Sequence, residues 1–282
     1  MSNFPANPAG LDSDPEVTTR LLSRRDALVR GATTSSVIAA GLKMGSVPLA
    51  LAAVARDSFG QGRLPAVVVG VLNFALTLEY LESEFYLAGL AASNLIPAAD
   101  RPIFNTISTH ESGHVQFLRT TLGSSARPKP TFDFTAGNGS GNGPYAGVFS
   151  NYATFLAVSQ AFEDTGVRAF KGQAPSLLPY DAFLTAALTI HSVEARHASV
   201  VRRLRGNFAD TEPFYQGWIT GNSTDVPGAS ATYAGEQNTT HLGLNIATLP
   251  SLAGVSSSSL TEAFDEPLTM AQILAIVDPF IV

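Results

Sequence analysis

The sequence of 282 residues contains no cysteine. Without thiols the chain cannot form disulfides, zinc–thiolate sites, iron–sulfur clusters or a thiol nucleophile. Any metal ion bound by this chain must therefore be held by oxygen and imidazole ligands.

Charged residues are also scarce. They make up 14% of the chain, against roughly 25% in ordinary soluble domains, and the formal net charge is -6. Such a chain offers no basic face to neutralise phosphates, so nucleic acid is not expected as a partner. The hydrophobic share of 45% is enough for a full core, which argues against disorder of the chain as a whole. The low charge favours a protein that works outside the cytosol.

Residues 1–55 are predicted to be a leader. Arg24 and Arg25 precede a weakly apolar stretch that ends in small residues at Ala53–Ala55, and this order resembles a twin-arginine export signal. The signal is degenerate, because Ala27 stands where an aromatic residue is common and Lys43 interrupts the apolar run. The alternative is an N-terminal helix that is kept as an anchor. We expect export to the bacterial periplasm or cell envelope, with no transmembrane span in the mature chain.

Residues 56–206 are predicted to form an all-α, antiparallel four-helix bundle. Apolar residues recur at helical spacing in four segments, and these are Leu64–Ala92, Asp100–Gly123, Tyr145–Phe170 and Pro179–Arg205. Asp100 is the predicted N-cap of the second helix, with Pro102 in its first turn. Residues Ser124–Pro144 are rich in Gly, Pro, Ser and Asn, which predicts a long crossover between helices 2 and 3.

Residues 207–282 have too few periodic apolar residues for a second domain of ordinary size. We expect an irregular C-terminal extension that packs on the bundle or on an oligomer partner, with one short helix at Leu268–Val277. A homo-oligomer is left open.

Two Glu-x-x-His motifs lie on predicted helices: Glu111 with His114, and Glu194 with His197. Residues three apart on a helix lie on one face, about 4.5 Å apart along the axis. Each pair therefore offers a carboxylate and an imidazole to one metal ion. With 11 glutamates and 5 histidines in 282 positions, chance would give about 0.2 such pairs (11 × 5 / 282), so two pairs are a specific signal.

Glu79 and Glu163 supply a carboxylate from the first and third helices. The separation from Glu79 to Glu111 is 32 residues and that from Glu163 to Glu194 is 31, which indicates an internal repeat. A buried carboxylate without a partner costs several kcal/mol, and two divalent ions would balance four carboxylates. We therefore predict a dinuclear site in which Glu111 and Glu194 bridge the metals, while Glu79 and Glu163 bind one metal each. Oxygen and imidazole ligands suit iron or manganese.

Glu82 and Glu84 could exchange roles with Glu79. Glu79 is preferred because Tyr86 follows it by seven residues, just as Phe170 follows Glu163. Both aromatic residues are interpreted as core side chains rather than as radical or gating residues.

His110 and His191 lie near the predicted ligands, and a supporting role or a surface position is expected for each. His110, Glu111 and His114 also match the zinc-protease helix motif. That alternative leaves the second Glu-x-x-His motif and both apolar-face glutamates unexplained, so it ranks behind the dinuclear site.

The segment Leu72–Glu82, together with His110–His114, resembles the ferritin-like superfamily, and in particular an exported bacterial ferritin-like family related to desiccation-associated proteins. The resemblance covers about Leu64–Gly206. It implies a bundle with one long crossover, two iron or manganese ions, and oxidase, ferroxidase or peroxide-detoxifying activity on O2 or H2O2. The alternative is a non-catalytic metal-binding or structural protein of stress or desiccation protection. Rubrerythrin-like activity would need another electron donor, because the chain has no cysteine to ligate a second iron centre.

Overall fold

The computed structural model describes residues 64–206 and 216–282. The predicted export signal and the start of the predicted bundle at residue 56 lie outside these ranges.

Four long helices form the bundle: α1 (Ala66–Ala91), α2 (Arg101–Leu122), α3 (Tyr152–Gln173) and α4 (Asp181–Gly206). The closest packing is within the hairpins α1–α2 and α3–α4, and α1 also packs against α3. The predicted all-α, antiparallel four-helix bundle with a long crossover between the second and third helices is confirmed.

The predicted start of the second helix after Asp100 is confirmed, but the predicted start of the third helix was wrong. The third helix begins at Tyr152 rather than at Tyr145, because Asn151 caps it by accepting a hydrogen bond from the backbone N–H of Thr154. Asp100 precedes α2 but makes no capping hydrogen bond. Its Oδ2 instead accepts a hydrogen bond from the hydroxyl of Tyr152 at 2.8 Å, which ties the start of α2 to the start of α3.

Helix α1 is long and apolar enough to cross a membrane by length and composition alone, a property that the sequence analysis did not identify. However, 72% of the apolar 18-residue stretch of this helix is buried inside the protein. Its apolar residues therefore serve the core, where α1 contacts both α2 and α3.

Hydrogen bonds to other parts of the chain fix the crossover near its start and again further along. Near its start, the Asn73 side chain donates to the carbonyl of Ser125 at 2.9 Å and accepts from the backbone N–H of Arg127 at 2.7 Å. Further along, the backbone N–H of Asp133 donates to the carbonyl of Phe280 at 2.8 Å. Residues near the C terminus thus hold in place the crossover that connects α2 to α3.

The described part of the C-terminal extension contains a β-hairpin of two two-residue strands, which the sequence pattern did not predict, and two short α-helices. These are β1 (Thr240–His241), β2 (Leu244–Asn245), α5 (Ser257–Thr261) and α6 (Met270–Val277). Helix α6 corresponds to the predicted short helix and begins after a capping box at Thr269. The Phe280 ring packs edge-on against Phe162 of α3, with ring centroids 4.9 Å apart.

Arg168 of α3 latches the extension onto the bundle. Its guanidinium is fully buried and lies 2.9 Å from a carboxylate oxygen of Glu236. It also donates hydrogen bonds to the carbonyls of Thr232, Ala234 and Glu266. One buried cation therefore joins two separate segments of the extension, residues 232–236 and Glu266, to α3.

Candidate metal centre

A polar chamber interrupts the core midway along the bundle. One apolar cluster, which includes Phe85, Phe104 and Phe155, lies toward one end of the helices. A second cluster, which includes Leu76, Phe117 and Phe183, lies toward the other end. On α2 and α4 the predicted ligand positions fall between the two clusters, so packed side chains lie beyond the chamber toward both ends of these helices.

The structure brings all six predicted ligands together, and none of them is more than 5% exposed. They form two clusters of four residues in which the candidate ligand atoms lie within 4.8 Å of one another. Glu111 and Glu194 belong to both clusters. The members are Glu79, Glu111, His114 and Glu194 in one, and Glu111, Glu163, Glu194 and His197 in the other.

Each imidazole faces the carboxylates through its Nδ1 atom. Nδ1 of His114 lies 3.1 Å from Glu79 Oε2, and 3.2 Å from both Glu111 Oε2 and Glu194 Oε1. Nδ1 of His197 lies 2.9 Å from Glu111 Oε1 and 3.3 Å from Glu163 Oε2. Ligand atoms held about 2.1 Å from one metal at right angles are about 3 Å apart. The spacing of the donor atoms thus fits coordination.

Hydrogen bonds alone do not satisfy this chamber. A single imidazole nitrogen carries one proton at most, yet Nδ1 of His114 faces three carboxylates. Among the described residues, several buried site atoms have no hydrogen-bond partner, and these are Glu79 Oε1, Glu111 Oε1, Glu163 Oε2, both carboxylate oxygens of Glu194, and His197 Nδ1. Buried polar atoms are normally paired. These atoms lack hydrogen-bond partners and lie at the spacing of coordinating atoms, so a pair of cations would satisfy them.

Without metal, protons balance part of the chamber's charge. Burial raises the pKa of Glu163 to about 8, although His197 lowers it in part. Burial also raises the pKa of Glu79 well above its ordinary value. Burial opposes the charged forms of Glu111 and His197 too. The pKa of Glu111 is nevertheless lowered, first by His114 and then by His197. The pKa of His197 is raised to about 12, first by Glu163 and then by Glu111.

Glu82 is a fifth carboxylate in the chamber, whereas the sequence pattern predicted it only as an alternative to Glu79. It is 3% exposed and its Oε2 has no hydrogen-bond partner among the described residues. Burial, followed by the charge of Glu194, raises its pKa well above the usual value. The signal in the sequence was its position three residues after Glu79, on the same helix face. Glu84, the other alternative, is half-buried and pairs with Lys129 at 2.6 Å, outside the chamber.

Tyr86 is more than a core aromatic residue, so that interpretation was incomplete. Its ring packs in the aromatic cluster beside Phe85, but its buried hydroxyl donates a hydrogen bond to Glu163 Oε1 at 2.5 Å. The other oxygen of Glu163 faces His197. Tyr86 therefore orients Glu163 toward the chamber. Phe170 is buried in an apolar cluster, as expected.

The two remaining candidate histidines differ. His191 Nδ1 lies 3.0 Å from the carbonyl of Val167 and is not part of the chamber. His110 Nδ1 lies 2.9 Å from His197 Nε2, on the side of that ring opposite the carboxylates. His110 belongs to neither ligand cluster. The zinc-protease arrangement, which needs His110 and His114 on one ion, is thus not formed.

Comparison with known families adds an independent finding. Residues 68–207 match the family model described as a ferritin-like domain. The match contains all six predicted ligands and both hairpins. Comparison with curated proteins gives no match.

Proposed function

Because the chain belongs to the ferritin-like superfamily, we propose that it holds two iron or two manganese ions and acts as an oxidase, ferroxidase or peroxide-detoxifying enzyme. The observation that carries this proposal is the sharing of Glu111 and Glu194 between two four-residue ligand clusters. Two neighbouring metal ions can both bind a shared carboxylate. A mononuclear site does not require carboxylates that belong to two ligand clusters.

The choice of iron or manganese follows from the donor set. Each cluster offers three carboxylates and one imidazole, and hard oxygen ligands with imidazole suit these metals better than copper, while the chain has no thiolate for softer ones. When bound, such ions supply the electrons for reactions with O2 or H2O2.

The chain's own residues would hold, orient and shield that pair. Glu111 and Glu194 would bridge the ions, and Glu79 with His114 and Glu163 with His197 would complete the two positions. Tyr86 holds Glu163 by its hydroxyl. The two apolar clusters would shield that pair toward both ends of the helices.

A second candidate function is metal binding without turnover, in a structural protein of stress or desiccation protection. The burial of all six ligands to 5% exposure or less favours this alternative, because a tightly closed site suits permanent retention of metal. In that case the ions would staple the four helices together.

We also propose that the protein is exported to the periplasm or cell envelope, on the basis of the paired arginines at Arg24 and Arg25. The mass of the N terminus of protein isolated from cells would test this. Processing after Ala55 supports export, and a retained Arg24 and Arg25 contradicts it.

The functional proposal is tested by metal titration followed by turnover assays. We expect metal-free protein to bind two Fe(II) or two Mn(II) per chain under anaerobic conditions. Addition of O2 or H2O2 should then produce oxidation of Fe(II) or loss of peroxide. Both binding and activity should disappear in Glu111→Ala. They should persist in Glu84→Ala, which changes a half-buried glutamate of the same bundle that belongs to neither ligand cluster.

The outcomes separate the candidates. Two metals per chain without turnover would favour the structural alternative. A stoichiometry well above two would favour storage. Binding that survives Glu111→Ala would contradict the dinuclear site itself.

A further inference from the structure

His110 and His197 form a contact between helices α2 and α4 on the outer side of the chamber. Their ring nitrogens, Nδ1 of His110 and Nε2 of His197, lie 2.9 Å apart, and the ring planes differ by 12°. His110 is exposed, whereas His197 is 4% exposed. An exposed imidazole thus backs a buried candidate ligand.

The proposed function decides which nitrogen carries the proton. Nδ1 of His197 faces the carboxylates of Glu111 and Glu163, so this atom would bind the metal through its lone pair. A neutral imidazole ligand then carries its proton on Nε2. That N–H can donate to His110 Nδ1, which must accept and therefore carries its own proton on Nε2.

The other half of the repeat lacks this arrangement. Val193 stands 83 residues after His110, the same separation as from Glu111 to Glu194. An aliphatic side chain cannot accept a hydrogen bond. His114 therefore has no histidine at the position that corresponds to His110. The two halves of the repeat differ at the residue that would support the His114 ring.

We propose that His110 is a positioning residue that fixes the tautomer and ring orientation of His197, and so makes the two metal positions unequal. This inference rests on the proposed dinuclear site. Groups that orient a metal-bound histidine in this way typically contribute about tenfold to a hundredfold in metal affinity. The position bound by His197 is therefore the one whose affinity depends on His110.

The location of His110 makes the test practical. Its side chain lines a surface groove of about 450 Å³ between α2 and α4, together with Thr106, Val193 and Arg196. Substitution there leaves no cavity in the core. Thr106→Ala is a matched control, because Thr106 lies in the same groove and its hydroxyl bonds only the backbone carbonyl of Pro102 among the described residues.

The experiment is a Co(II) titration of the metal-free full chain, followed by visible absorbance. We expect two Co(II) ions to bind the wild-type protein and Thr106→Ala. His110→Ala should lower the affinity of one ion by about tenfold to a hundredfold and leave the other nearly unchanged. His110→Asn, whose side-chain oxygen can accept the Nε2 proton, should restore most of that affinity.

A second readout follows the proton itself. In the Co(II)-loaded protein, the exchangeable ring N–H of His197 should give a shifted NMR signal that exchanges faster with water in His110→Ala than in His110→Asn. Unchanged binding in His110→Ala, equal weakening of both ions, or failure of Asn to rescue would each overturn the inference while leaving the dinuclear site intact. Failure of the wild-type protein to bind two ions would overturn the proposed function as well.

Discussion

The carboxylate of Glu82 on α1 lies against Gly166 on α3. A Cβ atom at Gly166 would stand 3.2 Å from Glu82 Oε1 and 3.5 Å from Glu194 Cγ. Gly166 follows Glu82 by 84 residues, the same separation as from Glu79 to Glu163. Gly166 is thus the residue that corresponds to Glu82 in the second half of the repeat. Because glycine has no side chain, it leaves the space that the Glu82 carboxylate occupies.

Gly166→Ala should disturb the chamber more than the fold. Alanine is better than glycine in a helix interior by about 1 kcal/mol, and this gain offsets part of the crowding against Glu82 and Glu194. We expect the unfolding free energy of the metal-free protein to change by less than about 1 kcal/mol. Metal affinity should fall, because Glu194 is a shared ligand position.

Urea unfolding and Co(II) titration of the same preparation check this prediction. Gly70→Ala is the control, since a Cβ there would meet nothing within 4 Å. Unaltered metal affinity in Gly166→Ala would contradict the view that this glycine makes room for the site.

The stability of the metal-free protein should fall as pH rises from about 5 to 8. The pKa of Glu163 is about 8 and that of His197 about 12 in the folded chain, both above their ordinary values, so the folded state binds more protons than the unfolded state in this range. Each extra bound proton gives a slope of about 1.4 kcal/mol per pH unit. Below about pH 4.5 the sign reverses, because Glu111 and Glu194 have lowered pKa values.

Metal should oppose this trend, because coordination requires deprotonated ligands and metal binding therefore strengthens with pH. Urea unfolding at pH 5, 6, 7 and 8, with chelator and with excess Mn(II), provides the measurement. A metal-free protein that gains stability between pH 5 and 8 would be inconsistent with the charge arrangement described above.

Tyr86→Phe should destabilise the metal-free protein by about 1–3 kcal/mol, since it leaves Glu163 Oε1 buried without its donor. The ring and its aromatic contacts remain, so core packing is preserved. Denaturant unfolding measures the effect, with Tyr80→Phe as the control at another buried tyrosine of α1. Equal effects of the two substitutions would show that the hydrogen bond to Glu163 contributes nothing specific.

Arg168→Met should loosen the C-terminal extension. Removing one partner of a buried ion pair costs about 3–5 kcal/mol. Here it leaves three carbonyls without their donor, and Glu236 keeps only its hydrogen bond from the backbone N–H of Glu266. The double variant Arg168→Met with Glu236→Gln should recover part of this loss. Denaturant unfolding gives the energies, and limited proteolysis reports whether the extension is cleaved before the bundle. Proteolysis that begins inside α1–α4 would argue against a latch at Arg168.

Local patterns carried most of the fold prediction. The 3.6-residue period of apolar side chains located four helices, and Glu-x-x-His spacing located the ligand pairs, because both depend only on geometry within one helix. The start of α3 was misplaced because Tyr145, although buried, belongs to the crossover. Burial outside a helix leaves the same apolar signal in the sequence as burial within it.

The sequence alone determined which residues share a helix face, and hence that Glu79, Glu111, His114, Glu163, Glu194 and His197 could converge. Only the tertiary structure decided that Glu82 joins them over Gly166, that Tyr86 reaches Glu163 and that His110 backs His197. Those contacts join different helices. They depend on how each helix is rotated and shifted along its axis relative to its neighbours. The packing of all four helices together sets these values, and no single segment encodes them.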